Sequence, residues 1–149
     1  MSPTKEDLLD RMAGMLAREG IDFSEGSSGD VLFVPLEEVT ISVAVLVFSE
    51  GSSSMVIMRA RLVLEAQITT DMQRLRVLAE VNRLNYSSPF VTYYVDDDDE
   101  LMAQVNLLGD DLQRTEFMNA LTSLRFSTPD DVNMAQLMAG TTYAEWDPE

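Results

Sequence analysis

Between Thr69 and Leu108 the chain changes its hydrophobic period, and this change restricts the fold more than any other feature. From Thr70 to near Asn85 apolar residues recur at helical spacing, with Thr70 and Gln73 at capping-box distance and Ser87-Ser88-Pro89 as the break. Strict alternation follows, over Phe90 to Val95 and Leu101 to Leu108. In the second of these, Leu101, Ala103, Val105 and Leu107 share a face opposite Gln104 and Asn106. A strand of period two with one apolar face belongs to an antiparallel sheet covered on one side.

The same alternation occurs upstream. Thr40 to Phe48 places Ile41, Val43, Val45 and Val47 together, and its other face, Ser42, Ala44, Leu46, Phe48, becomes apolar towards the end. Met55 to Glu65 directs Val56, Met58, Ala60, Leu62 and Leu64 one way and Arg59 and Arg61 the other, after a turn at Glu50 to Ser54. Val31 to Pro35 is a short strand whose proline marks an edge or an end. Ahead of it, Ser24 to Asp30 reads as a loop.

Helices frame these strands. Thr4 and Asp7 suggest a capping box for a helix to Glu19 with Leu8, Leu9, Met12, Met15 and Leu16 on one face, and Gly20 suits its stop. A third helix is expected from Asp111 to Phe126, striped by Phe117, Met118, Leu121 and Leu124. Thr128-Pro129-Asp130-Asp131 starts a further short helix to Ala139, and residues 143–149 are expected to fray. The order α-β-β-β-α-β-β-α over a chain of 149 residues predicts one α+β domain, an antiparallel sheet with helices on one side.

The middle helix has two apolar arcs. Met72, Leu75, Leu78, Ala79 and Tyr86 form one, with Asn82 on it; Val77, Val81 and Leu84 form the other, roughly opposite. Gln73, Arg76, Glu80 and Arg83 share the polar face, with Arg76 and Glu80 at ion-pair spacing. One arc would pack on the sheet, and the other needs a cover, either the third helix or a second copy. The expected homodimer interface is Val77, Val81 and Leu84, a twofold dimer being the commonest soluble assembly. Asn85 suits a helix C-cap and Asn82 a bond to neighbouring backbone.

Composition removes whole classes of chemistry. Without cysteine there is no disulfide or thiolate site, and without histidine there is no imidazole base, ligand or pH switch. The net charge of −16 repels phosphate backbones and anionic lipid, so neither nucleic acid nor membrane is an expected partner. Arg59, Arg61, Arg74, Arg76 and Arg83 alternate with apolar residues and form no basic block. The apolar run Val43 to Phe48 is too short for a bilayer, and the N-terminus does not resemble a signal peptide, so a cytoplasmic location is expected.

Asp96-Asp97-Asp98-Asp99-Glu100 is dense in oxygen ligands, but it lacks an EF-hand's glycine and final glutamate, and adjacent strand residues diverge. It reads as a solvated hairpin turn, with weak calcium or magnesium binding as the alternative. No acid shows the apolar setting that raises a catalytic pKa, and there is no phosphate-cradling glycine loop or nucleophile elbow. The ten methionines suit adaptable core packing or a promiscuous binding face. No catalytic residue, cofactor or metal site is expected.

Val81-Asn82-Arg83-Leu84-Asn85, followed by paired strands around an acidic turn, resembles the YbjN family of bacterial proteins. The element order is similar to the type III secretion chaperone-like fold to which that family belongs. The resemblance implies a small acidic homodimer that binds proteins and has no established chemistry. It also implies a partner patch on the first helix, which here would use Met12, Met15 and Leu16. The Ser/Gly loops, the four-aspartate turn and the broken last helix depart from the pattern. The function expected is a non-catalytic protein-binding or regulatory module acting on an unknown protein partner. An acidic small-molecule or divalent-cation sensor is the alternative, and an enzyme comes third.

Overall fold

The computed structural model describes residues 4–36, 39–47, 54–62 and 68–126. Among the described residues nine elements follow one another: α1 (Lys5–Arg18), β1 (Ser24–Glu25), β2 (Val31–Leu36), β3 (Val39–Val47), β4 (Ser54–Leu62), α2 (Asp71–Ser87), β5 (Thr92–Val95), β6 (Leu101–Leu108) and α3 (Arg114–Arg125). The strands form one antiparallel sheet in the order β1-β2-β3-β4-β6-β5. The expected turn over residues 50–53, the helix from Thr128 and the end of the chain lie outside the described residues.

Register explains why one sheet face is apolar. Val43 pairs with Met58 and Met58 with Val105; Ile41, Ala60, Ala103 and Tyr93 form the next row, and Val45, Val56 and Leu107 another. All of these side chains are buried, and they share one core with Leu8, Met12 and Leu16 of α1, Val77 and Val81 of α2, and Phe117, Leu121 and Leu124 of α3. The three helices therefore cover a single face. Burying a branched or aromatic side chain of this kind contributes about 1.5–3 kcal/mol, which favours this register over a slip that would turn every core residue outward.

Local chemistry sets the element ends. Thr4 accepts the Asp7 N–H while the Asp7 carboxylate accepts the Thr4 N–H, and Thr70 and Gln73 repeat the arrangement at α2. The third helix begins three residues later than expected, because Asp111 adopts φ 55°, outside helical conformation. Ser24–Glu25, expected as loop, pairs with the first half of β2 and leaves Pro35 where no neighbour needs an N–H. At the opposite end of the sheet Gly109 donates to the Ser54 carbonyl. A Cβ there would lie 2.2 Å from Ser54 Oγ and 2.8 Å from Leu8 Cδ1, so only glycine fits.

Candidate functional site

The residues expected to contact partners lie inside. Met12 and Leu16 are fully buried and Met15 nearly so, because α1 has one apolar stripe and that stripe faces the sheet. Val77 and Val81 likewise face inward, with Leu84 packed half-buried beside them. Both groups pack against the chain's own core rather than standing open on its surface. In α2 it is the β-branched arc that docks on the chain's own core, next to β5.

The other arc of α2 remains uncovered. Met72 is 53% exposed, Leu75 61%, Leu78 42% and Tyr86 94%. The third helix does not cover them; it packs on β3, β4 and β6. Met72, Leu75, Ala79, Asn82 and Tyr86 follow the 3-then-4 spacing of a coiled-coil seam. Glu80, expected to pair with Arg76, instead accepts from Arg83, and that contact raises the Arg83 pKa above its ordinary value.

Asn85 acts on a strand rather than as a helix cap. Its Nδ2 donates to the Tyr93 carbonyl at 2.9 Å, and the Tyr93 N–H donates to its Oδ1 at 2.7 Å. The strand β5 is the last in the sheet, so this amide occupies backbone groups that a further strand would otherwise use. Asn82, by contrast, is exposed on the seam.

The acidic turn is held by its own atoms. Asp96 Oδ1 accepts from the N–H groups of Asp98 and Glu100 at 3.0 and 2.9 Å, and Asp99 takes the left-handed conformation at φ 60°. Asp99 then pairs with Arg74 of α2 at 2.7 Å and Glu100 with Arg61 of β4 at 3.2 Å. The carboxylates diverge towards separate elements. Among the described residues no group of three or more acids converges as a cation site.

The uncovered sheet face is the second surface. At one end Leu46, Met55 and Leu108 form a cross-strand row, next to Ala44, Ile57 and Asn106. Leu46 is 47% and Leu108 68% exposed. The row beyond holds Ser42, Arg59 and Gln104, then Arg61 and Met102. Arg59 Nε donates to Gln104 Oε1 at 2.8 Å, Tyr94 Oη to the same oxygen at 3.0 Å, and Gln104 Nε2 to Asn106 Oδ1 at 2.9 Å. Among the described residues Arg59 pairs with no carboxylate. The face is thus apolar at one end and cationic in the middle.

A family model described as "Putative bacterial sensory transduction regulator", YbjN, matches residues 8–128. The chain belongs to the YbjN family. The crystal structure of YbjN from E. coli is similar in fold, with a TM-score of 0.54 at 15% identity, covering 91% of this chain and 93% of that one. The Yersinia pestis type III secretion chaperone SycH, solved in complex with a stable fragment of YscM2, aligns with a TM-score of 0.49 at 20% identity over 81% of this chain and 93% of its own. No curated protein sequence matches the chain. No helix among the described residues is long and apolar enough to cross a membrane. Within Val81-Asn82-Arg83-Leu84-Asn85, Val81 is in the core, Leu84 packs half-buried against it, Asn85 clamps the strand edge, and Asn82 and Arg83 are exposed, Arg83 pairing with Glu80.

Proposed function

We propose that this YbjN-family chain is a non-catalytic, protein-binding regulatory module that acts as a homodimer. The observation that carries this is the exposure of large apolar side chains on α2 and on the open sheet face, two elements whose other sides are already committed to the core. Exposed apolar surface of this kind marks contact with another protein. The resemblance to a protein-binding fold points the same way.

The seam on α2 suits a second copy. In an antiparallel pairing about Ala79, Met72 of one chain meets Tyr86 of the other, Leu75 meets Asn82, and Ala79 meets itself at the point of closest approach. A small residue at the twofold axis and larger ones outside it form a self-complementary surface. The open sheet face is then left for a partner segment, with its apolar row holding side chains.

Sedimentation of the full chain tests the dimer, and protein capture tests the binding role. The wild-type chain is expected as a dimer, and Leu75→Asp as a folded monomer with unchanged helical circular dichroism. A wild-type monomer at every workable concentration, or a dimer that tolerates Leu75→Asp, refutes the dimer. Proteins captured by the wild type and lost with Leu108→Asp support the binding role; identical capture by both removes the sheet face from it.

A further inference from the structure

We propose that the open sheet face receives an amphipathic helix of another protein, its apolar stripe bordered by carboxylates. The proposal rests on reading that face as a binding surface and names the chemistry and shape of what binds.

Charge is unevenly placed on this chain. The net charge is −16, yet no described strand residue pointing to the open face is an aspartate or glutamate. The face carries Arg59 and Arg61 instead, set among Phe33, Leu46, Ile57 and Leu108. Glu100 reaches Arg61 from the acidic turn, whereas Arg59 has no carboxylate among the described residues. Its guanidinium is nevertheless held in place. Nε donates to Gln104 Oε1, and Gln104 Nε2 donates in turn to Asn106 Oδ1. A guanidinium anchored through Nε keeps its outer nitrogens for a carboxylate, the planar anion that its fork matches. At 0.15 M salt the acids elsewhere on the chain are screened beyond about 8 Å, so this local cation sets the preference at contact.

The sheet edges decide the shape of the partner. A segment added as a further strand needs a row of free backbone groups. At β5 the outward groups of Tyr93 are taken by Asn85. At the other edge β1 has only two residues, and beyond it Pro35 has no N–H to give. A partner on the face must therefore satisfy its own backbone, which a helix does. The apolar and cationic rows are adjacent across β3, β4 and β6, so one stripe with a carboxylate at its border meets both. Eighteen helical residues span about 27 Å, close to the length of about 30 Å of a nine-residue strand such as β4.

Three labelled synthetic peptides of about 18 residues and equal leucine content test this by fluorescence anisotropy on the full chain at 0.15 M salt. One has leucines at helical spacing bordered by glutamates, the second has lysines in place of those glutamates, and the third alternates leucine and glutamate strictly. The glutamate-bordered helix is expected to bind saturably, and each of the others at least about tenfold more weakly. Arg59→Glu and Leu108→Asp change exposed side chains, so both variants keep the fold. Arg59→Glu should reverse the preference between the two helical peptides, and Leu108→Asp should weaken the acidic one about tenfold. Leu75→Asp, on α2, should leave its affinity unchanged. Net charge alone predicts the opposite order, and tighter binding of the lysine peptide overturns the proposal. Equal affinity for the two, tighter binding of the alternating peptide, no saturable binding, or a preference unmoved by Arg59→Glu overturns it equally. If the peptides fail while Leu108→Asp still loses captured proteins, the face binds a partner of other chemistry; if both fail, the binding role of the face falls too.

Discussion

At the scale of single residues, Asn85 shows how a motif that looks functional can be architectural. Its amide substitutes for a neighbouring strand along Tyr93, which joins α2 to the last strand of the sheet. Asn85→Ala removes both bonds and is expected to destabilise the chain by about 1–2 kcal/mol, read as a lower urea midpoint at unchanged slope. The sequence placed Asn85 at a helix end but could not reveal that its bonds run eight residues onward. Tyr93 allows a pH test. Burial raises its pKa above the ordinary 10.0. Its phenol is therefore neutral in both states below that value, whereas above it only the unfolded chain gains by ionising. The contribution is full below pH 10 and is lost as pH rises towards the raised native value, at up to about 1.4 kcal/mol per pH unit. Comparing wild type with Tyr93→Phe from pH 8 to 11 isolates it: the stability difference should stay flat to about pH 10, then shift in favour of the phenylalanine. A difference that stays flat throughout contradicts the assignment.

At the scale of elements, periodicity located most of the fold, and β6 coincides with its expected limits. It missed β1, because two polar residues cannot display an alternation. The faces of α2 were harder to assign. Both arcs are apolar, and helical spacing says that residues lie together without saying which way they point. Two hints were present. Asn82 lies on the arc that proved exposed, and the buried arc is the one with two β-branched valines. For α1 the stripe itself was legible and its burial follows from there being only one, since a helix with a single stripe devotes it to the core. The two arcs predict opposite phenotypes for the same chemical change. Val81→Asp puts an unpaired carboxylate into the core and should lower stability by about 3 kcal/mol or more, seen as loss of the cooperative melt. Leu75→Asp should leave that melt intact. If Val81→Asp melts like the wild type, the orientation of α2 described above is wrong.

At the scale of the whole molecule, charge decides how the chain responds to salt. Five ion pairs are formed among the described residues, all partly exposed, and each contributes at most about 1 kcal/mol. Against them stands the mutual repulsion of 26 acids offset by only 10 bases. Salt weakens both, since the screening length falls from about 30 Å at 0.01 M to about 8 Å at 0.15 M. The excess is larger and longer in range, so screening should stabilise on balance, and the melting temperature should rise with sodium chloride over this interval. Association through α2 should tighten over the same interval, because each copy carries the same sign. General salting-out of apolar surface would produce a similar trend, and the acidic turn separates the two. Asp97 and Asp98 are exposed and form none of these five ion pairs. Replacing both by asparagine keeps the Asp96 bonds that shape the turn and removes two charges. If repulsion is the cause, this variant melts higher than the wild type at low salt and responds less steeply to added salt. An unchanged slope would assign the effect to apolar surface, and a melting temperature that falls with salt would mean that the ion pairs outweigh the excess charge.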